Sequence, residues 1–230
     1  MMEREKRLRG LILLGGRSDY TPQELAPLNI PYVCCSYDNQ YGTLPPDSYA
    51  SVSIADEEEA CRAVTELYRC GHRRIAALVS GTEDRSISQL RYQGYVRALA
   101  AHGLPLEQEL VIEAGSFDIR QSYLAMQRRL LAGARFTALF AISDNMAIGA
   151  MRALREAGRR IPEDCSVIAI DGLTVSDYIN PTLTTLCQPM EHMGRRSVEI
   201  LLDMVEHRGG PIRETAHTTL RTGESVRDIS

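Results

Sequence analysis

Val167-Ile-Ala-Ile-Asp171-Gly-Leu-Thr174, followed by Asn180-Pro-Thr-Leu-Thr-Thr-Leu-Cys-Gln-Pro189, decides how this chain is read. Four apolar residues, mostly β-branched, end abruptly in a carboxylate. A second β-prone run with two adjacent threonines begins just after Pro181. A buried strand that delivers one acid at its carboxyl end is how an open α/β sheet presents a polar group to a small molecule. Surface decoration does not account for an acid placed directly after such a run, so Asp171 is read as functional.

The pattern extends outward from there. Ala60, Ala63, Val64 and Leu67 fall at helical spacing and Gly71 supplies a stop. Strands are expected at Ile75–Val79, Leu110–Glu113, Ala138–Ile142 and Ser166–Ile170. Helices are expected around Leu90–Leu99, Tyr123–Leu130 and Ala147–Leu154, each closed by a glycine. Continuous apolar strands alternating with one-sided helices predict a parallel sheet covered on both faces. Before Asp56 the signal is thinner. Leu11–Leu14 and Tyr32–Cys35 read as strands, a short helical piece lies at Glu24–Leu28, and 38–49 reads as loop. After Pro189, Val198, Leu201, Leu202 and Val205 mark one more helix, and Thr218–Leu220 is β-prone.

Composition narrows the function. The 230 residues are 44% apolar and 24% charged, enough for one large or two small domains. A net charge of −4 gives this chain no basic surface with which to grip a phosphate backbone. Six cysteines show no C-x-x-C spacing and five histidines are scattered, so no metal site is expected. The apolar run Leu11–Leu14 is too short for a leader or a membrane span, which points to the cytoplasm and to no membrane partner. No phosphate-cradling or nucleophile-elbow motif is present, so neither a catalytic residue nor a cofactor is expected.

Polar side chains gather at the expected carboxyl edge. Arg85 follows the Ile75–Val79 strand, Arg91 opens the next helix, and Phe117 follows the Leu110–Glu113 strand. Ser143 and Asp144 end the Ala138–Ile142 strand, and Asp171 ends Ser166–Ile170. Two donor forks, two acids, a hydroxyl and an aromatic face suit a polyhydroxylated or heterocyclic small molecule. Each has a plainer reading too. Asp144 stands where a helix N-cap is expected, Arg91 could be a solvated helical charge, and Phe117 could be core.

Six motifs in order resemble the sensor core of the LacI/GalR family of bacterial transcription regulators. They are Cys70-Gly-His-Arg-Arg-Ile75, Arg91-Tyr-Gln-Gly-Tyr95, Ser143-Asp144-Asn-Met-Ala-Ile-Gly149, Gly158-Arg-Arg-Ile-Pro162-Glu-Asp164, Ile170-Asp171 and Pro181-Thr-Leu-Thr-Thr185. The resemblance implies two Rossmann-like parallel-sheet subdomains of the periplasmic-binding-protein-like type I fold. The DNA-proximal subdomain would comprise 1–56 and 188–215 and be incomplete, and the effector-binding subdomain would comprise 57–187 and 216–230. It further implies effector contacts at Arg91 and Asp171, with Arg85 and Phe117 as lining residues. The effector class implied is a sugar or sugar phosphate, or else a nucleoside or purine. A homodimer is implied, with DNA engaged only through a helix-turn-helix head absent from this chain. The incomplete subdomain would leave the apolar faces of both Leu11–Leu14 and Tyr32–Cys35 exposed. Three departures stand out: Ala55-Asp56 in place of Asp-Asn, Ser143 in place of Asn, and Gly223 in place of Arg. A solute-binding protein of a sugar transporter and a small α/β enzyme are the competing readings.

Overall fold

Residues 75–79, 138–141 and 166–170 are buried without interruption. In an extended chain, whose side chains alternate between faces, this requires cover on both sides. The computed structural model, which describes residues 8–230, supplies that cover in two compact units. The first unit gathers residues 8–55 with Arg85–Ile87 and Pro189–His217. The second gathers Asp56–Asp84, Ser88–Gln188 and Thr218–Ser230.

The first unit is a four-stranded parallel sheet in the order β1 (Leu11–Leu14), β2 (Tyr32–Cys35), β3 (Ala50–Ile54), β9 (Arg213–Ala216). A one-turn helix α1 (Pro22–Leu25) connects β1 to β2. Tyr32, Cys34, Tyr37 and Tyr49 form the core on one face, with Leu11, Leu13, Leu25 and Leu28 against them. The opposite face carries α6 (Met190–Val205), which packs on β1, β2 and β3. The expected exposure of the two N-terminal strands therefore holds only in part. β2 is buried at every residue because it is flanked by β1 and β3 and roofed by α6. β1 is one of the two edge strands, and Leu14 at its end is 75% exposed. β3 and β9 had no strand signal in the sequence. Buried Ser51 and Ser53 interrupt the apolar run of β3, and Arg213-Glu-Thr-Ala216 is a charged edge strand fixed by its pairing with β3.

The second unit is a six-stranded sheet in the order β10-β8-β7-β6-β4-β5. The strands are β4 (Ile75–Val79), β5 (Val111–Glu113), β6 (Ala138–Ala141), β7 (Ser166–Asp171), β8 (Thr184–Cys187) and β10 (Thr219–Arg221). All neighbours run parallel except β10, which is antiparallel to β8. Helix α2 (Asp56–Arg69) lies on β6, β7 and β8, and α5 (Asp144–Glu156) lies on β4, β6 and β7. Helices α3 (Ile87–Ala101) and α4 (Ile119–Leu131) pack beside them.

Two glycines allow these helix pairs to approach. A Cβ at Gly94 of α3 would lie 2.2 Å from the Glu57 carbonyl of α2, and one at Gly149 of α5 would lie 2.2 Å from the Ile119 carbonyl of α4. The glycines of the Arg-x-x-Gly-Tyr and Ala-x-Gly motifs are thus contact points between backbones. Gly94→Ala and Gly149→Ala should each destabilise the fold by about 1–3 kcal/mol, the usual cost of overpacking. Chemical denaturation would show this as a lower midpoint with an unchanged slope.

His72 is 2% exposed and spans two hydroxyls, with Nδ1 3.0 Å from Thr137 Oγ1 and Nε2 2.9 Å from Ser166 Oγ. Burial lowers its pKa, opposed in part by the negative charge of Asp228. The folded state therefore keeps this imidazole neutral, whereas the unfolded chain takes up a proton near pH ~6.5. The stability it contributes is present above that pH and lost as pH falls through it. His72→Gln should flatten the stability profile between about pH 7 and 5. An unchanged slope in that variant, measured by urea unfolding across the window, would assign the titration elsewhere.

Candidate functional site

The carboxyl ends of β6 and β7 meet the start of α3 around one guanidinium. Arg91 sits in the second turn of α3 with its side chain 4% exposed. Its Nε donates to Asp56 Oδ1 at 2.8 Å, and its Nη1 donates to the Ile142 carbonyl and, at 3.2 Å, to Asp171 Oδ1. Burial by itself would lower the arginine pKa, but the charges of Asp56 and Asp171 more than offset it and hold the group above its ordinary value. Asp56 is buried beside it, and desolvation pushes its carboxyl up against the pull of Arg91.

Asp171 is the accessible member of this cluster, with its side chain 19% exposed. Its Oδ1 accepts from Arg91 and also from Gln188 Nε2 at 2.8 Å. Among the described residues, no donor is bonded to Oδ2. Its backbone has φ of +138°, a conformation that L-residues rarely adopt, and Gly172 follows at +76°. Such strain persists only where surrounding contacts enforce it, and it concentrates at functional positions. Here the Asp171 carbonyl accepts the Gln188 N–H at 3.0 Å, and the Gly172 N–H donates to Thr185 Oγ1 at 3.3 Å.

Ser143 takes the capping role expected of Asp144. Ser143, not Asp144, is the N-cap of α5, and its Oγ accepts the Met146 N–H at 3.3 Å. Asp144 is the first helical residue and is fully buried. Its Oδ2 accepts the Leu173 N–H and the Ser176 hydroxyl, each at 2.7 Å, and its Oδ1 accepts the Thr185 hydroxyl at 2.6 Å. Three donors from the segments after β7 and within β8 draw it away from the cap. Desolvation raises its pKa, and these same bonds oppose the shift. The adjacent threonines of the Pro-Thr-Leu-Thr-Thr motif acquire distinct tasks, Thr185 on Asp144 and Thr184 on the Gly223 N–H at 3.0 Å.

Two further residues complete the expected set. Arg85 belongs to the first unit, where its Nη2 donates to the Tyr41 carbonyl at 2.9 Å. Phe117 is 38% exposed on the loop between β5 and α4. Of the six residues expected at one site, the second unit joins Arg91 to Asp171 directly and places Ser143–Asp144 at the next strand end. Asp56 and Gln188 were not foreseen as partners. Asp56 had a legible signal, an acid just after a buried strand, but the serines of β3 masked that strand. Among the described residues, no group of three or more His, Cys, Asp or Glu is placed to hold a metal ion, and no helix is long and apolar enough to cross a membrane.

A doubly wound sheet that gathers acids and an arginine at its carboxyl edge defines a ligand-binding domain of the α/β type. Comparison gives the family. Residues 64–226 match the model of the periplasmic binding protein-like domain. The transcriptional regulator CelR of Thermobifida fusca is 35% identical over 220 residues, covering 95% of this chain and 62% of the relative. The ribose operon repressor of Haemophilus influenzae is 31% identical, covering 88% and 59%. The structure of the CelR–cellobiose complex superposes with a TM-score of 0.85 at 33% identity, covering 96% of this chain and 66% of the other. The chain belongs to the periplasmic binding protein-like domain family, and LacI-type transcription regulators are among the proteins it resembles. It spans less than two thirds of the length of these two curated relatives, a transcriptional regulator and an operon repressor.

The Asp144 junction makes a direct prediction. Asp144→Ala leaves one N–H and two hydroxyls without their acceptor and should cost about 3 kcal/mol or more. Asp144→Asn should recover most of this, because the Thr185 hydroxyl can turn and accept from the new amide. Equal losses in the two variants, measured by thermal unfolding, would mean that the charge rather than the bonding pattern is required.

Proposed function

We propose that this chain is the effector-sensing domain of a LacI-type transcription regulator, most naturally a repressor, with a carbohydrate as its effector. The observation that carries this reading is Asp171. It is a partly exposed carboxylate at a strand end, strained in its backbone, held by Arg91 and Gln188 through one oxygen and uncommitted at the other. A carboxylate oxygen of this kind accepts from a ligand hydroxyl, and a charged hydrogen bond is worth about 1.5–3 kcal/mol. The likeness to a regulator solved with cellobiose supports a sugar over a nucleoside.

The remainder of the proposal concerns the whole regulator. DNA is engaged by a helix-turn-helix head and not by this acidic domain, in the cytoplasm. The active form is a homodimer, a reading supported by exposed Val175, Tyr178 and Ile119 on the second unit. Arg85, Phe117, Ser143 and Asp144 act as supporting or lining groups rather than as the principal contacts.

The test is a thermal-shift and calorimetric screen of the protein against cellobiose, D-ribose and adenosine. A sugar should raise the melting temperature, and Asp171→Asn should weaken its binding by about tenfold or more while the fold survives. Arg91→Ala should also lose stability, by about 3–5 kcal/mol, because it strands two acids around a vacated charge. Stabilisation by adenosine alone would replace the sugar reading, and full affinity in Asp171→Asn would remove this residue from the site.

A further inference from the structure

Gln188 is the last residue of the second unit before the chain passes to the first. It holds Asp171 at two points, its backbone N–H on the Asp171 carbonyl at 3.0 Å and its side-chain Nε2 on Asp171 Oδ1 at 2.8 Å. The same oxygen lies 3.2 Å from Arg91 Nη1, a longer contact than the 2.8 Å that Arg91 makes with Asp56. The amide thus shares Oδ1 with the guanidinium, which meets Asp171 at one point. Removing the amide frees Oδ1 and allows Asp171 to turn both oxygens onto the arginine. A fork engaged by both carboxylate oxygens is the preferred geometry of an arginine–carboxylate pair. An Asp171 bound in that way would have no oxygen left for a ligand.

We propose that Gln188 is a positioning residue of the effector site, acting through Asp171. By saturating Oδ1 and pinning the strained carbonyl, it reserves Asp171 Oδ2 as the acceptor for a hydroxyl-bearing ligand. The inference rests on the reading of Asp171 as an effector contact. It adds a requirement that the position carry a neutral hydrogen-bond donor. Glutamine meets that requirement without adding charge to a cluster that already holds two acids and one base.

Glutamate at this position provides the discriminating variant. Ionised, it presents only acceptors to Asp171 and repels it. Protonated, it regains an O–H that can donate to Oδ1. In the full-length protein, Gln188→Ala and Gln188→Glu should both weaken cellobiose binding by about tenfold at about pH 7.5. Toward about pH 5, Gln188→Glu should return to within a few-fold of the wild type measured at the same pH, while Gln188→Ala stays weak. A purely structural defect would not be rescued by acid. Wild-type affinity in both variants, or a Gln188→Glu deficit that does not respond to pH, would overturn the proposal. If the wild type takes up none of the screened sugars, the carbohydrate reading fails separately. Gln188 is then judged without ligand, by amide exchange at Gly172 and Leu173. Exchange there should accelerate about tenfold in Gln188→Ala relative to the strands at 75–79 and 138–141, and unchanged exchange would overturn the proposal.

Discussion

A guanidinium withdrawn from water must be surrounded by acceptors, and the arrangement of the second unit follows from that demand at Arg91. Burying an isolated charge is prohibitive, and even a paired charge contributes little net stability unless its remaining donors are satisfied. The chain meets the requirement with groups from three places: Asp56 at the start of α2, the Ile142 carbonyl past the end of β6, and Asp171 at the end of β7. Each of these is held by the sheet or by a helix seated on it, so the cluster is as rigid as the scaffold. Two acids for one base leave a local excess of negative charge. The more exposed acid is therefore the one with capacity for an external donor.

The strain at Asp171 and the saturation of Asp144 express the same economy at neighbouring strand ends. Asp144 is fully committed within the protein and fixes how the segment after β7 returns toward β8 through Leu173, Ser176 and Thr185. Asp171, one strand over, is only half committed. Two carboxylates of identical chemistry are thus separated into a structural and a receptive role by the number of donors that the fold brings to each. Solvent exposure follows the same division, none for Asp144 and a fifth of the side chain for Asp171.

Much of the second unit was legible in the sequence because its strands are buried on both faces and its helices end in glycines. β4 matched at both ends, β6 came one residue shorter than expected and β7 one residue longer. Asp171 was legible for the same reason, since an acid directly after four apolar residues marks the point where a buried strand reaches the sheet edge. The first unit was harder to read. Ser51 and Ser53 break the apolar run of β3, and β9 owes its strand character to a partner far away in sequence. The division of labour between Ser143 and Asp144 was not legible, because capping is a local rule and the donors that claim Asp144 come from residues 173–185. Gln188 was invisible for a related reason. Its role is a register effect, set by the parallel alignment of Asp171 with Cys187.

The antiparallel strand β10 has a consequence for how the chain is made. It pairs with β8, and the segment beyond it fastens onto the rest of the unit, where the Ser225 hydroxyl donates to the Val167 carbonyl of β7 and the Ile229 N–H donates to the Cys70 carbonyl just after α2. The second unit therefore takes its bordering strand and its fastening from residues synthesised after the whole of α6, which belongs to the other unit. A nascent chain that has emerged only through α6 still holds a sheet with one border open. Domains commonly fold in the order in which they emerge, but this topology delays closure of the second unit until the segment after α6 has emerged. Throughout that interval the side of β8 that β10 later covers is an open sheet edge, a ready template for pairing with another strand.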